Sequence, residues 1–261
     1  MSVSSNSLFH FVSRREYLED ILNGDFYPRY CMEHFDFKML RLRDVYILMK
    51  CFCDIPLSQI IEHTKMYGNY GIGFSKEWGQ RQRISPMIYL YRNSNTYKNI
   101  NDTFQNVLDK AYTEFVTKKT KKASKEVFDS LSILGYIKPI KGKMQRNGKD
   151  VSVIFYNERE WRFIPKTWDV EDKNELVNNF ILLPKSLVDE NPILLDKLHS
   201  FSKINLKIPY TADDVKYIFV ENENEREYFF DLLSKSEYFD ENSRKKIMCK
   251  IITTNQIKED F

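Results

Sequence analysis

Apolar positions along the chain fall into short runs whose spacing switches between strand-like and helical. Residues 8–12, "LFHFV", form an apolar run interrupted by His10 and read as a strand. In "SRREYLEDILNGDFYP", Tyr17, Leu18, Ile21 and Leu22 recur at helical spacing, which predicts a helix capped by Ser13 and stopped by Gly24. "YCMEHFDFKMLRLRDVYI" has weak periodicity and reads as a loop with local structure. After it, "LMKCFCDIP" reads as a strand ending at Pro56, and "LSQIIEHTKMYG" as a helix closed by Gly68. "YGIGFS" and "SPMIYLY" resemble two further strands, the first carrying Gly71 and Gly73, which suggests close approach of backbone or ligand.

Residues 103–135 carry a long helical pattern with Phe104, Val107, Leu108, Ala111 and Phe115 on one stripe, read as one helix or as two with a break near 120. Its middle, "KKTKKASK", is a basic cluster that reads as a solvated helix face or a nucleic-acid contact through Lys118, Lys119, Lys121 and Lys122. Asn147-Gly148 sits between two strand-like runs and signals a hairpin, whose second arm would carry Glu160. Further on come an acidic stretch, "DVEDKNE", and a helix around 191–200. A βα unit follows, in which Val215 to Val220 feeds a helix with Tyr228, Phe229, Leu232 and Leu233, and the chain ends in a strand with a polar tail. No linker, repeat or low-complexity tract divides the chain. One α+β domain over 1–261 is expected, with a core over 1–167 and a C-terminal α/β extension over 168–261.

A 42% hydrophobic and 15% aromatic composition is ample for a buried core, and a net charge of +3 announces no nucleic-acid partner for the molecule as a whole. The start lacks the features of a signal peptide and no apolar run approaches a membrane span, so a cytoplasmic protein without membrane contact is expected. Cys31, Cys51, Cys53 and Cys249 lack a Cys-x-x-Cys ligand pattern and read as buried thiols without disulfides. His10, His34 and His63 with Asp54 show no metal-ligand spacing, so no metal is expected.

"YNEREWRFIP", Tyr156 to Pro165, places four charges where a core strand would want none. Alternation in a strand would put Glu158, Glu160 and Arg162 on one face and Arg159, Trp161 and Phe163 on the other. Two readings fit: a solvated face on which Glu160 pairs with Arg162 or a cross-strand lysine, or a catalytic carboxylate beside a helper. P-loop, GxGxxG, GxSxG and HExxH motifs are all missing, which lowers the weight of Walker-type hydrolysis, Rossmann hydride transfer and serine hydrolysis.

The segments "LFHFVSRREYLEDILNGDFYPRYCME", "CFCDIPLSQIIEHTKMYGNYGIGFSKEWG", "ISPMIYLY" and "NEREWRF" resemble the AbiGi abortive-infection family of bacterial phage-defence proteins, described as antitoxins of a two-gene phage-exclusion system. More distantly, the order of a first-strand His, an aromatic Gly-rich segment and a late Glu-x-Glu resembles the ADP-ribosyltransferase superfamily. That resemblance implies a mixed-sheet ADP-ribosyltransferase-like core that uses NAD as substrate. His10 and Arg29 or Arg14 would hold the dinucleotide, and Tyr67 or Tyr70 would stack on nicotinamide. Gly71 and Gly73 would admit the backbone close to the ligand, and Ser75 would take the strand position that carries Ser or Thr. Glu160 would stabilise the oxocarbenium-like sugar, with Glu158 as general base toward the acceptor. No Ser-Thr-Ser triplet is present. His10 and Glu160 are then expected to line one cleft with Tyr67 or Tyr70. The resemblances together imply an abortive-infection effector that transfers ADP-ribose to a protein or nucleic-acid acceptor. The alternative is a non-catalytic antitoxin or sensor that binds a cognate toxin or other protein partner.

Overall fold

In the computed structural model, residues 5–34, 44–118, 125–146, 149–165 and 182–260 are described. Strand β1 (Ser7–Val12) leads through α1 (Arg15–Leu22) to β2 (Arg29–His34) and the long β3 (Asp44–Cys53). A 3-10 turn and α2 (Ile60–Tyr67) precede β4 (Tyr70–Ser75), α3 (Lys76–Arg81), β5 (Ser85–Pro86) and β6 (Ile88–Leu90). Helices α4 (Asn95–Lys118) and α5 (Lys125–Leu134) are followed by β7 (Ile137–Pro139), β8 (Gly142–Arg146), β9 (Lys149–Val153) and β10 (Glu160–Phe163). The remainder is β11 (Leu182–Pro184), α6 (Lys185–Glu190), α7 (Leu194–Asn205), β12 (Val215–Val220), α8 (Glu223–Ser234), α9 (Glu241–Met248), β13 (Ile251–Thr253) and α10 (Thr254–Asp260).

The fold is α+β, built on a nine-stranded sheet in the order β13-β12-β4-β1-β3-β10-β5, with β2 and β11 also paired to β3. Among the described residues only β12 and β13 run parallel in it, so the sheet is mixed. Residues 182–260 contribute β11, β12 and β13 to this same sheet, and β12 lies between β4 and β13.

Alternation along the strands sorts their side chains to two faces. Leu8 and Val12 of β1, Ile72 and Phe74 of β4, Ile218 and Val220 of β12, and Trp161 and Phe163 of β10 pack under Leu18, Ile21 and Leu22 of α1, Trp78 of α3 and Phe229 and Leu233 of α8. Phe9, Phe11, Cys53 and Phe219 face the other way, against Ile60 of α2 and Ile257 of α10. Both faces are covered, which is why these strands read as apolar runs rather than as clean alternation. The glycines of β4 have a packing reason: a Cβ at Gly71 would lie 2.8 Å from the Phe11 ring, and one at Gly73 2.8 Å from the Phe9 ring. The space above them is filled by aromatic side chains of the neighbouring strand.

Several expectations need correcting. Helix α1 begins one residue later than the Ser13 cap implies, with Arg14 at the N-cap and no side-chain cap bond. The segment read as a loop supplies β2 and the first residues of β3, because burial against β11 and α7 rather than local periodicity stabilises them. "SPMIYLY" is divided between β5, which pairs β10, and β6, which pairs β7. The polar tail is mostly α10, anchored by buried Thr254 and Ile257. Arg146 pairs Lys149 across the hairpin, but its second arm ends at Val153 and Glu160 belongs to a separate strand of the main sheet. The Asn147-Gly148 turn, Lys119, Lys121, Lys122 and the acidic stretch 169–175 lie outside the described residues. No helix among the described residues is long and apolar enough to cross a membrane.

Gly68 is the glycine whose backbone conformation matters most. It ends α2 at φ 111, and a Cβ there would sit 2.3 Å from the Val12 carbonyl oxygen. Gly68→Ala is expected to cost about 2 kcal/mol or more in urea denaturation, by adding strain and a backbone clash at once.

Candidate functional site

The polar residues of "YNEREWRFIP" converge although they do not share one strand. Glu158 ends a 3-10 turn, Phe155–Glu158, and Arg159 adopts a left-handed conformation at φ 45 before β10 begins. Its carbonyl accepts a hydrogen bond from the Asp54 backbone N–H at 3.0 Å, which holds the kink against the end of β3. The reversal turns the Glu158 carboxylate toward that of Glu160, so the expected pairing arises from a kink and not from strand alternation.

Both carboxylates meet Lys138 of β7, whose ammonium donates to Glu158 Oε2 at 3.0 Å and to Glu160 Oε2 at 2.9 Å. Arg162, two residues along β10 on the same face, donates from Nε to Glu160 Oε1 at 2.7 Å and from Nη2 to Glu160 Oε2 at 3.1 Å. Its remaining donors reach Glu33 of β2 at 2.8 Å and the Gly135 carbonyl at 2.7 Å. The Tyr67 hydroxyl donates to Glu158 Oε1 at 2.8 Å, and the Glu160 backbone N–H donates to the Tyr89 hydroxyl at 2.8 Å. Arg162 is only 1% exposed and Lys138 7%. The partners are those of the solvated-face reading, Arg162 and a lysine, but the setting is interior.

Such charges persist inside a protein only when paired and hydrogen-bonded. Burial alone would raise the Glu160 carboxyl, but Arg162 and Lys138 outweigh it and hold it well below the usual carboxylate range. Burial would likewise lower Lys138, yet Glu160, Glu33 and Glu158 push it above its ordinary value. Burial, and then Glu158, raise the Tyr67 hydroxyl, so it stays a donor. Burial lowers His63, whose ring lies tilted 4.4 Å from that of Tyr67, to about 4 and keeps it neutral. The Cys51 and Cys53 thiols are pushed far up, chiefly by burial, and all four cysteines are unbridged.

A cavity of about 280 Å³ lies over this cluster, touching Tyr67, Glu158, Glu160, Lys138 and His63, and it reaches His10. The His10 ring nevertheless belongs to the opposite face of the sheet. Phe9 pairs Cys53 and Glu160 pairs Cys53, so Phe9 and Glu160 share a face that His10, next along β1, does not. The ring packs edge-on to Phe26, 5.6 Å away, and Nδ1 donates to the Cys51 carbonyl at 2.8 Å. Strand β1 meets β3 at one register position only, so the two part at His10.

The other expected ligand-holding residues are dispersed. Tyr70 is on the His10 face, beside Phe229. Ser75 caps α3 by accepting from the Trp78 N–H at 3.1 Å. Arg14 lies over the Tyr17 ring, and Arg29 lines a second cavity on the His10 side. Lys138 and Glu33 escaped the sequence reading; the available signal was a single lysine in the apolar stretch "YIKPI". No group of three His, Cys, Asp or Glu among the described residues is placed to hold a metal ion.

Removing one cation from this cluster strands a buried carboxylate. Arg162→Met is expected to cost about 3–5 kcal/mol in chemical denaturation. Because the folded-state pKa of Glu160 is depressed, its contribution is full above the unfolded glutamate value of about 4.3 and is lost as pH falls below it. Unfolding midpoints measured from about pH 5 to about pH 3 should therefore fall more steeply for wild type than for Glu160→Gln.

Comparison with known proteins gives the chain its relatives. A family model described as "Putative abortive phage resistance protein AbiGi, antitoxin" matches residues 24–221. A protein of Lactococcus lactis subsp. cremoris named abortive phage resistance protein AbiGi is 25% identical over 261 residues, covering 90% of this chain and 99% of the relative. No solved structure matches, so the likeness to an ADP-ribosyltransferase core has no structural neighbour behind it. The matched span takes in β2, β3, β7 and β10, the strands that carry or border the charged cluster, and the chain belongs to the AbiGi family of abortive phage resistance proteins.

Proposed function

We propose that this chain serves abortive phage resistance as an antitoxin that binds a protein partner, and not by turnover at the Glu158–Glu160 pair. The observation that carries this reading is the internal pairing of both carboxylates, Glu158 with Lys138 and Glu160 with Lys138 and Arg162. A transferase carboxylate must act on charge that appears on the sugar in the transition state. Glu160 would have to release a buried cation to do so, at a cost of about 3–5 kcal/mol. The His10 ring, which such an enzyme would need beside Glu160, lies on the other face.

A groove beside the cluster suits a protein partner. It has a volume of about 720 Å³ and runs between α2 and the segment 151–159. Val151, Ile154 and Tyr156 on that segment are 39%, 54% and 55% exposed. Apolar side chains gathered at such a rim are what docking surfaces use as anchors. The second reading, transfer of ADP-ribose from NAD to a protein or nucleic acid, is favoured by His10, Tyr67, Glu158 and Glu160 lining one cavity, as expected, although the His10 ring packs on the other face.

One experiment separates them. The chain is co-expressed with its genetic partner, and host growth is followed alongside label transfer from NAD carrying a labelled adenylate phosphate, in infected and uninfected lysates. Partner binding predicts that Ile154→Asp with Tyr156→Ala abolishes protection without shifting the melting temperature, and that no label moves. Label transfer that Glu160→Gln abolishes in a folded protein would establish the transferase instead.

A further inference from the structure

On the His10 side of the sheet lies a second cavity of about 230 Å³, where β1 parts from β3; it shares His10, Cys31, Met49 and Cys51 with the cavity over the charged cluster. Its walls include Val12, Tyr17, Ile21, Tyr27 and Met49. Three polar groups line it without a carboxylate or other polar partner among the described residues to match them: one is a buried ring nitrogen, one a half-buried ammonium and one an exposed guanidinium. The first is His10. Its Nδ1 is committed as a donor to the Cys51 carbonyl, which leaves Nε2 as a bare acceptor, and that atom is buried without any hydrogen-bond partner. The second is Lys50, whose ammonium lies 4.8 Å from the Phe26 ring and has no carboxylate partner among the described residues. The third is Arg29 at the mouth, likewise without a carboxylate among the described residues.

A half-buried lysine in an apolar setting without an anion carries a desolvation cost, and a buried imidazole nitrogen without a donor adds to it. One ligand would relieve both if it brought an anionic head and a hydroxyl. We propose that this cavity binds a small hydroxylated phosphate monoester, with its phosphate on Lys50 and Arg29 and a hydroxyl donating to His10 Nε2. Lysine serves phosphate as a point charge, and arginine serves it as a fork. The apolar and aromatic walls suit the face of a sugar or similar body. The volume, below the roughly 300 Å³ at which drug-sized sites begin, suits a monoester better than a dinucleotide.

Acidic groups on the same wall do not oppose the phosphate directly. Asp25 is held by Lys203 at 2.7 Å and by Lys207 at 2.9 Å, and Asp20 is exposed at the rim, where it can accept from a second hydroxyl. Burial pushes Lys50 down to about 8, the state an incoming anion would reverse, and burial together with Lys50 keeps His10 neutral. The site is independent of whether a protein docks on the other face.

The test uses the full chain with ribose 5-phosphate, glycerol 3-phosphate and adenosine monophosphate, and with ribose and glycerol as unphosphorylated controls. Calorimetry and thermal unfolding should show at least one ester binding and raising the melting temperature, with its parent alcohol about tenfold weaker or more. Lys50→Met should weaken that ester about tenfold or more while leaving the unliganded protein as stable as wild type, or more so. Arg29→Gln, at an exposed position, should also weaken it and carries the test if Lys50→Met does not fold. Absence of binding by all three esters at millimolar concentration, or unchanged affinity in the folded variants, overturns the proposal.

Discussion

The Arg162 guanidinium holds the centre of this molecule together. It sits on β10 with 1% of its surface exposed and binds a carboxylate on its own strand, a second on β2 and a carbonyl just past the end of α5. Through Glu160 it is joined to Lys138 of β7, and through Lys138 to Glu158 and Tyr67 of α2. An interior charge cluster of this kind is stable only when complete, since each member desolvates the others and relies on them for compensation. Elements distant in sequence are thereby fixed in a single mutual arrangement, more narrowly than apolar packing alone would require.

The two sides of β3 have different characters as a result. On one side the polar groups satisfy one another, and the cavity above them is bordered by atoms whose hydrogen-bonding capacity is largely used. On the other, where β1 departs from β3, the His10 Nε2 atom is buried without a partner and Lys50 has no carboxylate beside it among the described residues. A cavity whose polar atoms are already matched offers a ligand little beyond contact, whereas one with orphaned atoms gives it something to neutralise. The residues that look most catalytic in the sequence are therefore not the ones left waiting for a partner.

Much of the architecture was legible where local pattern and tertiary burial agree. The first strand, the "YGIGFS" strand and the βα unit at 215–234 all appear as read, because each is an apolar run bounded by turn or cap residues. Strand β2 was not legible: its burial alternates only weakly, and its pairing with β3 is decided by contacts with β11 and α7. The meeting of Glu158 and Glu160 was legible as a coincidence of charges, but its cause, a left-handed Arg159, leaves no signature in a sequence. The face occupied by His10 followed from a register that one chain cannot reveal, since it depends on which residue of β3 stands opposite Phe9.

Strand β4 pairs on one edge with β1 and on the other with β12, which comes about 140 residues later in the chain. Strand β3 likewise waits for β10 and β11. A ribosome delivering the chain from its N-terminus exposes the apolar edge of β4 until residues 215–220 have emerged. Until then nascent chains of this protein are vulnerable to aggregation and to chaperone capture, and a product interrupted before residue 215 lacks the strand that pairs the far edge of β4. In a cell whose translation is being diverted by a phage, the supply of folded molecules would fall with the ability to finish long chains.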